Sequence, residues 1–76
     1  MNFEIIPPIT GKDCFAKMSA IRDLKRLKRA YGGTNWKKCK GFCNVRIEQG
    51  IYYAEVHWYE CHGIGAGEYK IKRFLE

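Results

Sequence analysis

Ala54-Glu55-Val56-His57-Trp58-Tyr59-Glu60, followed after a glycine-rich gap by Glu68-Tyr69-Lys70-Ile71-Lys72-Arg73, is the stretch that decides the fold. Side chains alternate between faces along a strand, so each run sorts into two sides. Val56 and Trp58 share one side of the first run, and Glu55, His57 and Tyr59 share the other. In the second run Tyr69 and Ile71 share a side, opposite Lys70 and Lys72. Paired as a hairpin through Cys61-His62-Gly63-Ile64-Gly65-Ala66-Gly67, the runs give one apolar face. The opposite face collects a histidine, a tyrosine, a glutamate and two lysines. A metal-free nuclease places such a set around a phosphate, a proton carrier beside fixed positive charge. An ordinary solvated sheet face has the same make-up.

Outward from this hairpin the pattern predicts strands over 42–48, 51–60 and 68–74, with Gln49-Gly50 as a turn. Thr34 to Gly41 reads as a connection anchored by Trp36, with Lys37, Lys38 and Lys40 exposed. Further upstream, Phe15, Met18, Ile21, Leu24, Leu27 and Tyr31 recur at three- and four-residue spacing, which predicts a helix over 11–31. Thr10 offers a cap at its start. Gly32-Gly33 offers a left-handed stop, with Lys28 and Arg29 suited to the negative end of the helix dipole. A short β-prone run at 3–6, halted by Pro7-Pro8, reads as an edge strand. The expected architecture is α+β: one basic amphipathic helix packed on a three- to four-stranded antiparallel meander, in a single domain over 1–76.

Seventy-six residues allow one thin core, so a staple or a partner would help. Fourteen Lys and Arg against eight Asp and Glu give a net charge of +6, which favours polyanionic partners, nucleic acid first and an acidic protein second. The chain shows no signal-peptide pattern and no stretch as long as a membrane span, so no membrane partner is expected. Reduced thiols in a cytosol are then the default for Cys14, Cys39, Cys43 and Cys61. On the helix, Lys17, Arg22, Lys25, Arg26, Lys28 and Arg29 are opposed only by Asp23. They would track phosphates, or serve simply as a solvated face.

His57 is the natural proton carrier on the sheet face, because an unperturbed imidazole titrates near neutrality. Beside Lys70 and Lys72 it would take the proton of an RNA 2′-hydroxyl while the cations hold the phosphate. Tyr59 would stack on a base or assist the acid step. Arg73 and Glu60 fall on the apolar side by strict alternation. A bulge would be needed to bring Arg73 round, and an irregular strand end to bring Glu60. His62, in the glycine-rich loop, is the rival histidine. Gly63, Gly65 and Gly67 match no phosphate-loop spacing. Cys39, Cys43, Cys61 and His62 offer zinc-ligand atoms, but adjacent residues 61 and 62 would ligate together only from a loop. No cysteine carries a nucleophile motif.

The run Tyr31-Gly32-Gly33-Thr34-Asn35-Trp36-Lys37-Lys38, with the His-Trp-Tyr-Glu and Lys-Ile-Lys-Arg strands quoted above, resembles the C-terminal toxin modules of bacterial polymorphic and contact-dependent toxins. The resemblance covers about Leu24 to Leu75. It implies a compact ribonuclease of the broad superfamily of barnase, colicin-type tRNases and RelE-type toxins. Such proteins pack a helix on an antiparallel sheet, cleave RNA without a metal or other cofactor, and are neutralised by a dedicated antitoxin or immunity protein. His57, Lys70 and Lys72 fall on the strands that match. A chain with its own initial methionine suits a free-standing toxin acting in the cytoplasm.

The expectation is therefore a small metal-independent endoribonuclease toxin. His57, Lys70, Lys72, Arg73, Tyr59 and Glu60 are its candidate catalytic residues. Arg22, Lys25, Arg26, Arg29, Lys37, Lys38 and Arg46 are its candidate RNA contacts. The alternatives are a non-catalytic nucleic-acid-binding module and a zinc-stapled interaction domain.

Overall fold

The computed structural model describes residues 2–75. In chain order it holds strand β1 (Glu4–Lys17), a 3-10 turn (Met18–Ala20), helix α1 (Leu24–Tyr31), and strands β2 (Trp36–Ile47), β3 (Gly50–Cys61) and β4 (Gly65–Phe74). The strands form one antiparallel sheet ordered β1-β2-β3-β4, so the fold is α+β with a short helix inserted between the first two strands.

The centre of the sheet is the regular β2–β3 ladder. It runs unbroken from Trp36 opposite Cys61 to Ile47 opposite Gly50. The tight turn is Glu48-Gln49, one residue earlier than Gln49-Gly50, and β2 starts at Trp36 rather than at 42. The segment read as a connection is strand because alternate residues from Cys39 onward point to a packed interior, where Cys39, Gly41, Cys43 and Val45 are all buried, while Trp36 is buried on the other face. Gly41 carries no side chain because a Cβ there would lie 2.6 Å from Ile9 Cγ2 and 3.1 Å from the Trp58 ring.

The largest departure lies upstream. The helix over 11–31 is not formed: β1 continues to Lys17, and only Leu24–Tyr31 is α-helical. Phe15, Met18 and Ile21, which share a stripe at helical spacing, belong to three different environments. Phe15 stands exposed on the sheet, Met18 is exposed in the 3-10 turn, and Ile21 is buried under the helix. Pro7-Pro8 does not stop β1, because an edge strand tolerates missing amide donors. The prolines sit in a register shift between Ile6 and Thr10. The end of the helix agrees with the sequence: the Gly32 N–H donates to the Lys28 carbonyl at 2.8 Å, with φ 77° at Gly32.

The two faces of the sheet are built differently. On the inner face Cys39, Cys43, Val45, Ala54, Val56 and Trp58 form a buried cluster. Phe3, Ile5 and Ile9 from one edge strand and Tyr69 and Ile71 from the other pack on that same cluster, so the sheet curls around it. The outer face is covered at one end only. There Leu27 and Ile21 pack on Trp36, Tyr59 and Cys61. Gly33 permits this closure, since a Cβ would meet Cys61 Sγ and Ile64 Cδ1, each at 2.6 Å.

Cys14 and Cys39, opposite each other on β1 and β2, form a disulfide, against the expectation of four reduced thiols. Cys43 and Cys61 are free and buried, in the inner and outer clusters respectively. The expected zinc set is therefore not assembled: Cys39 is bonded elsewhere, Cys43 and Cys61 lie on opposite faces, and His62 is exposed in the turn before β4. Among the described residues no helix is long and apolar enough to cross a membrane.

Candidate functional site

The uncovered part of the outer face holds His57 at the middle of β3. Its cross-strand partners are Lys40 on β2 and Lys70 on β4. Residues directly opposite in an antiparallel pair place their Cβ atoms about 4.5–5.5 Å apart. An imidazole is thus bracketed by two ammonium-bearing side chains by register alone. Lys38 lies two residues from Lys40 on the same face, opposite Tyr59. The Phe15 ring meets the His57 ring edge-on at 5.3 Å, and the ammonium groups of Lys38 and Lys40 lie 5.8 and 5.7 Å from the Phe15 centroid. Phe15 thus packs edge-on against the imidazole with two ammonium groups within cation–π reach of its ring.

Glu55 fixes the ring. Residues 55 and 57 project from the same face of one strand, and the carboxylate lies 2.7 Å from His57 Nε2. Arg73 Nε forms an ion pair with the other carboxylate oxygen at 3.1 Å. The histidine hydrogen bond, followed by the charges of Arg73, His57 and Lys40, holds the Glu55 carboxyl below its usual range despite the cost of burial. Glu55 is therefore ionised at neutral pH and accepts from Nε2–H. With the proton on Nε2, Nδ1 is the ring nitrogen left to accept.

Two bulges in β4 complete the face. Between the Glu55–Arg73 and Val56–Ile71 pairs one extra residue, Lys72, is inserted, and it brings Arg73 round to the Glu55 side. Between the His57–Lys70 and Tyr59–Gly67 pairs, two residues of β4 oppose Trp58 alone. There Glu68 takes a left-handed φ of 58°, and Tyr69 turns inward to stack on Trp58 at 5.3 Å. The Glu68 carboxylate accepts from Arg26 at 2.7 Å and from the Tyr31 hydroxyl, tying α1 to β4. Those two bonds hold its pKa at about 2. The result is a cleft of about 180 Å³ lined by Lys38, His57, Tyr59, Glu68, Lys70 and Lys72, together with Trp58 and Ile71.

The sheet thus brings together His57, Lys70, Lys72 and Arg73, and adds Lys38 from the RNA-contact set. Tyr59 lines the cleft, but its hydroxyl donates to Asp23 at 3.1 Å and its ring is buried. Burial and that bond both raise its pKa, so it is a wall and not a proton donor. Glu60 is on the inner face, held by Lys12 at 2.8 Å and by the Trp58 indole N–H at 2.8 Å, and takes no part. The strand stays regular to Cys61, so the irregular end that Glu60 required does not occur.

Of the other basic residues, Arg22, Lys25 and Arg29 are exposed around α1, whereas Arg26 is committed to Glu68 and Asp23. Lys37 pairs in register with Glu60 and therefore faces the inner side. Arg46 is bonded to Glu4, six residues along β2 from Lys40 and so about 20 Å away. Glu55 and Lys40 are the site residues to which sequence reasoning gave no role. The Glu-x-His spacing within one strand was the available signal for Glu55, and for Lys40 there was none until β2 was known to start at Trp36.

This chain matches no protein-family model, no curated protein and no solved structure, so the reading of the site rests on the geometry just described.

Proposed function

We propose that this chain is a metal-independent endoribonuclease toxin that cleaves RNA by 2′-hydroxyl attack. One observation carries the reading: a histidine fixed by an ionised glutamate stands between two lysines on the open half of a sheet, beside a cleft. In the proposed reaction His57 Nδ1 takes the 2′-hydroxyl proton, and Glu55 balances the imidazolium as it forms. Lys38, Lys70 and Lys72 hold the phosphate and offset the charge that builds on it in the phosphorane. The 5′-oxygen leaves with a proton from a neighbouring ammonium group or water, and the new strand end is a 2′,3′-cyclic phosphate.

Arg22, Lys25, Lys28 and Arg29 make the exposed side of the helical segment basic while Leu27 anchors it. This supports a role in tracking the RNA backbone away from the cleft. An acidic antitoxin or immunity protein would cover the same surface, and the site of action would be the cytoplasm.

A second reading, a non-catalytic nucleic-acid-binding module, is favoured by one fact. With Tyr59 tied to Asp23 and Glu60 on the other face, neither of these two candidate catalytic residues is free to assist the acid step beside His57.

The test is incubation of the purified, disulfide-intact protein with total tRNA and with single-stranded RNA in EDTA, beside His57→Ala. The expected outcome is cleavage by the parent, reduced by about 10²–10⁴-fold in the variant. Intact RNA that shifts on a gel, with a salt-sensitive affinity, would favour the binding module.

A further inference from the structure

The Cys14–Cys39 pair does not stand alone on the inner face. Cys14 and Cys39 are direct partners on β1 and β2, and Cys39 is also the partner of Trp58 on β3. Glu60 lies two residues beyond Trp58, so it projects from the same face beside the two sulfurs. The Sγ atoms of Cys14 and Cys39 and a carboxylate oxygen of Glu60 all lie within 4.8 Å of one another. Cys39 is fully buried, and Cys14 and Glu60 are half-buried. Three ligand-bearing side chains from three adjacent strands thus converge on one point.

We propose that, once the disulfide is reduced, Cys14, Cys39 and Glu60 form a three-ligand site for Zn²⁺, with water as the fourth ligand. Two thiolates and a carboxylate are ligand types zinc takes. Tetrahedral coordination sets its ligand atoms roughly 3.5–3.8 Å apart, so the two sulfurs, bonded in the oxidised form, part to that distance on reduction, with the Glu60 carboxylate already within 4.8 Å of both. In the opening step a dithiol reductant supplies two electrons and two protons and closes its own disulfide. The Cys14–Cys39 bond breaks to two thiols, and the metal then displaces both thiol protons. Lys12, which holds Glu60 in the disulfide form, has a half-exposed side chain and is free to swing out. The three negative charges of the reduced site outweigh the positive charges of Lys12 and of Lys37, the cross-strand partner of Glu60.

The consequence is a staple with two forms. β1 is tied to the rest of the sheet by a covalent bond in an oxidising compartment and by a metal in a reducing one. The site lies on the opposite face from His57 and does not depend on the ribonuclease reading.

The experiment is titration of Co²⁺, a spectroscopic stand-in for zinc, into the full chain in oxidised form, in reduced form, and as reduced Glu60→Gln. The reduced chain should bind one equivalent, with a sulfur-to-cobalt charge-transfer band and tetrahedral d–d bands that Zn²⁺ abolishes. The oxidised chain should show neither. Glu60→Gln should bind about tenfold more weakly or worse, while reduced Cys43→Ser and Cys61→Ser should bind as the parent does. Absence of the charge-transfer band in the reduced parent, or equal bands in the oxidised chain, would overturn the proposal. So would loss of the bands in the Cys43 or Cys61 variants. The oxidised and reduced forms of the parent decide the matter even where a variant fails to fold.

Discussion

His57 and Trp58 are consecutive residues of one strand, and each face of the sheet takes one of them. Trp58 enters a face enclosed on both edges, where it stacks on Tyr69, donates to Glu60 and limits the space at Gly41. His57 enters a face that the short helix covers at one end only, among lysines and beside an open cleft. The inner face satisfies nearly every demand of stability, with six buried side chains and a disulfide. The outer face can therefore tolerate a concentration of like charge that a core could not. In a domain this small, the core and the open candidate site are separated by one residue of strand period.

The harshest way to break that contrast is truncation of Trp58. Trp58→Ala should cost about 3–5 kcal/mol. A 76-residue domain has only about 4–11 kcal/mol in total at the usual per-residue stability, so the loss is a large share of the whole and the variant should melt far below the parent. His57→Ala, next door, should melt close to the parent. Equal melting of both variants would mean that the enclosed face is not the core.

Glu55→Gln sharpens the chemical side. The amide keeps a hydrogen-bonding group near Nε2 but removes the charge that balances the imidazolium. Cleavage should fall about tenfold with the fold unchanged, as read by rates at saturating RNA. A loss as large as that of His57→Ala would make Glu55 a direct participant, and no loss would make it merely structural.

Acid should loosen the end of the outer face that the helix covers. The Glu68 pKa is depressed from 4.5 to about 2, so the stability from its bonds to Arg26 and Tyr31 is complete above about 4.5. It fades as pH falls towards 2. The groups are partly exposed, so the effect should be under about 1 kcal/mol. Thermal melts against pH should show a shallower acid limb in Glu68→Gln than in the parent.

The smallest effect belongs to the helical segment. Lys25→Ala should leave cleavage of a short substrate unchanged and lower the salt dependence of RNA binding by about 0.7 in logarithmic slope, the loss of one phosphate contact on a single strand. A Lys25 variant with the parental slope would remove the helix from the RNA path.

How much of this was legible in the sequence follows the same division. The strict period of two in β3 is written in Ala54 to Glu60, and it sorted the two faces of that strand as they stand, with His57 opposite Lys70 of β4. β1 was illegible because its register shifts at Pro7-Pro8, near Gly11 and beside Phe15 break that period. Phe15, Met18 and Ile21 then fell by accident at helical spacing. Arg73 needed a bulge, and the bulge exists, but the residue it inserts is fixed by pairing with β3 and not by anything local to β4. The positive φ of Glu68 likewise depends on Arg26 and Tyr31, 42 and 37 residues away. Four cysteines allow three two-disulfide connectivities and six single pairings, so the bonded pair had to come from the register.

The most direct test of the account is the chemistry of the cut ends. RNA and DNA oligonucleotides of one sequence, treated with the disulfide-intact protein in EDTA, should give cleaved RNA ending in 2′,3′-cyclic phosphate and intact DNA, with the RNA cleavage lost in His57→Ala. RNA fragments ending in a free 3′-hydroxyl, cut DNA, or undiminished cleavage by the variant would contradict a histidine-driven attack by the 2′-hydroxyl.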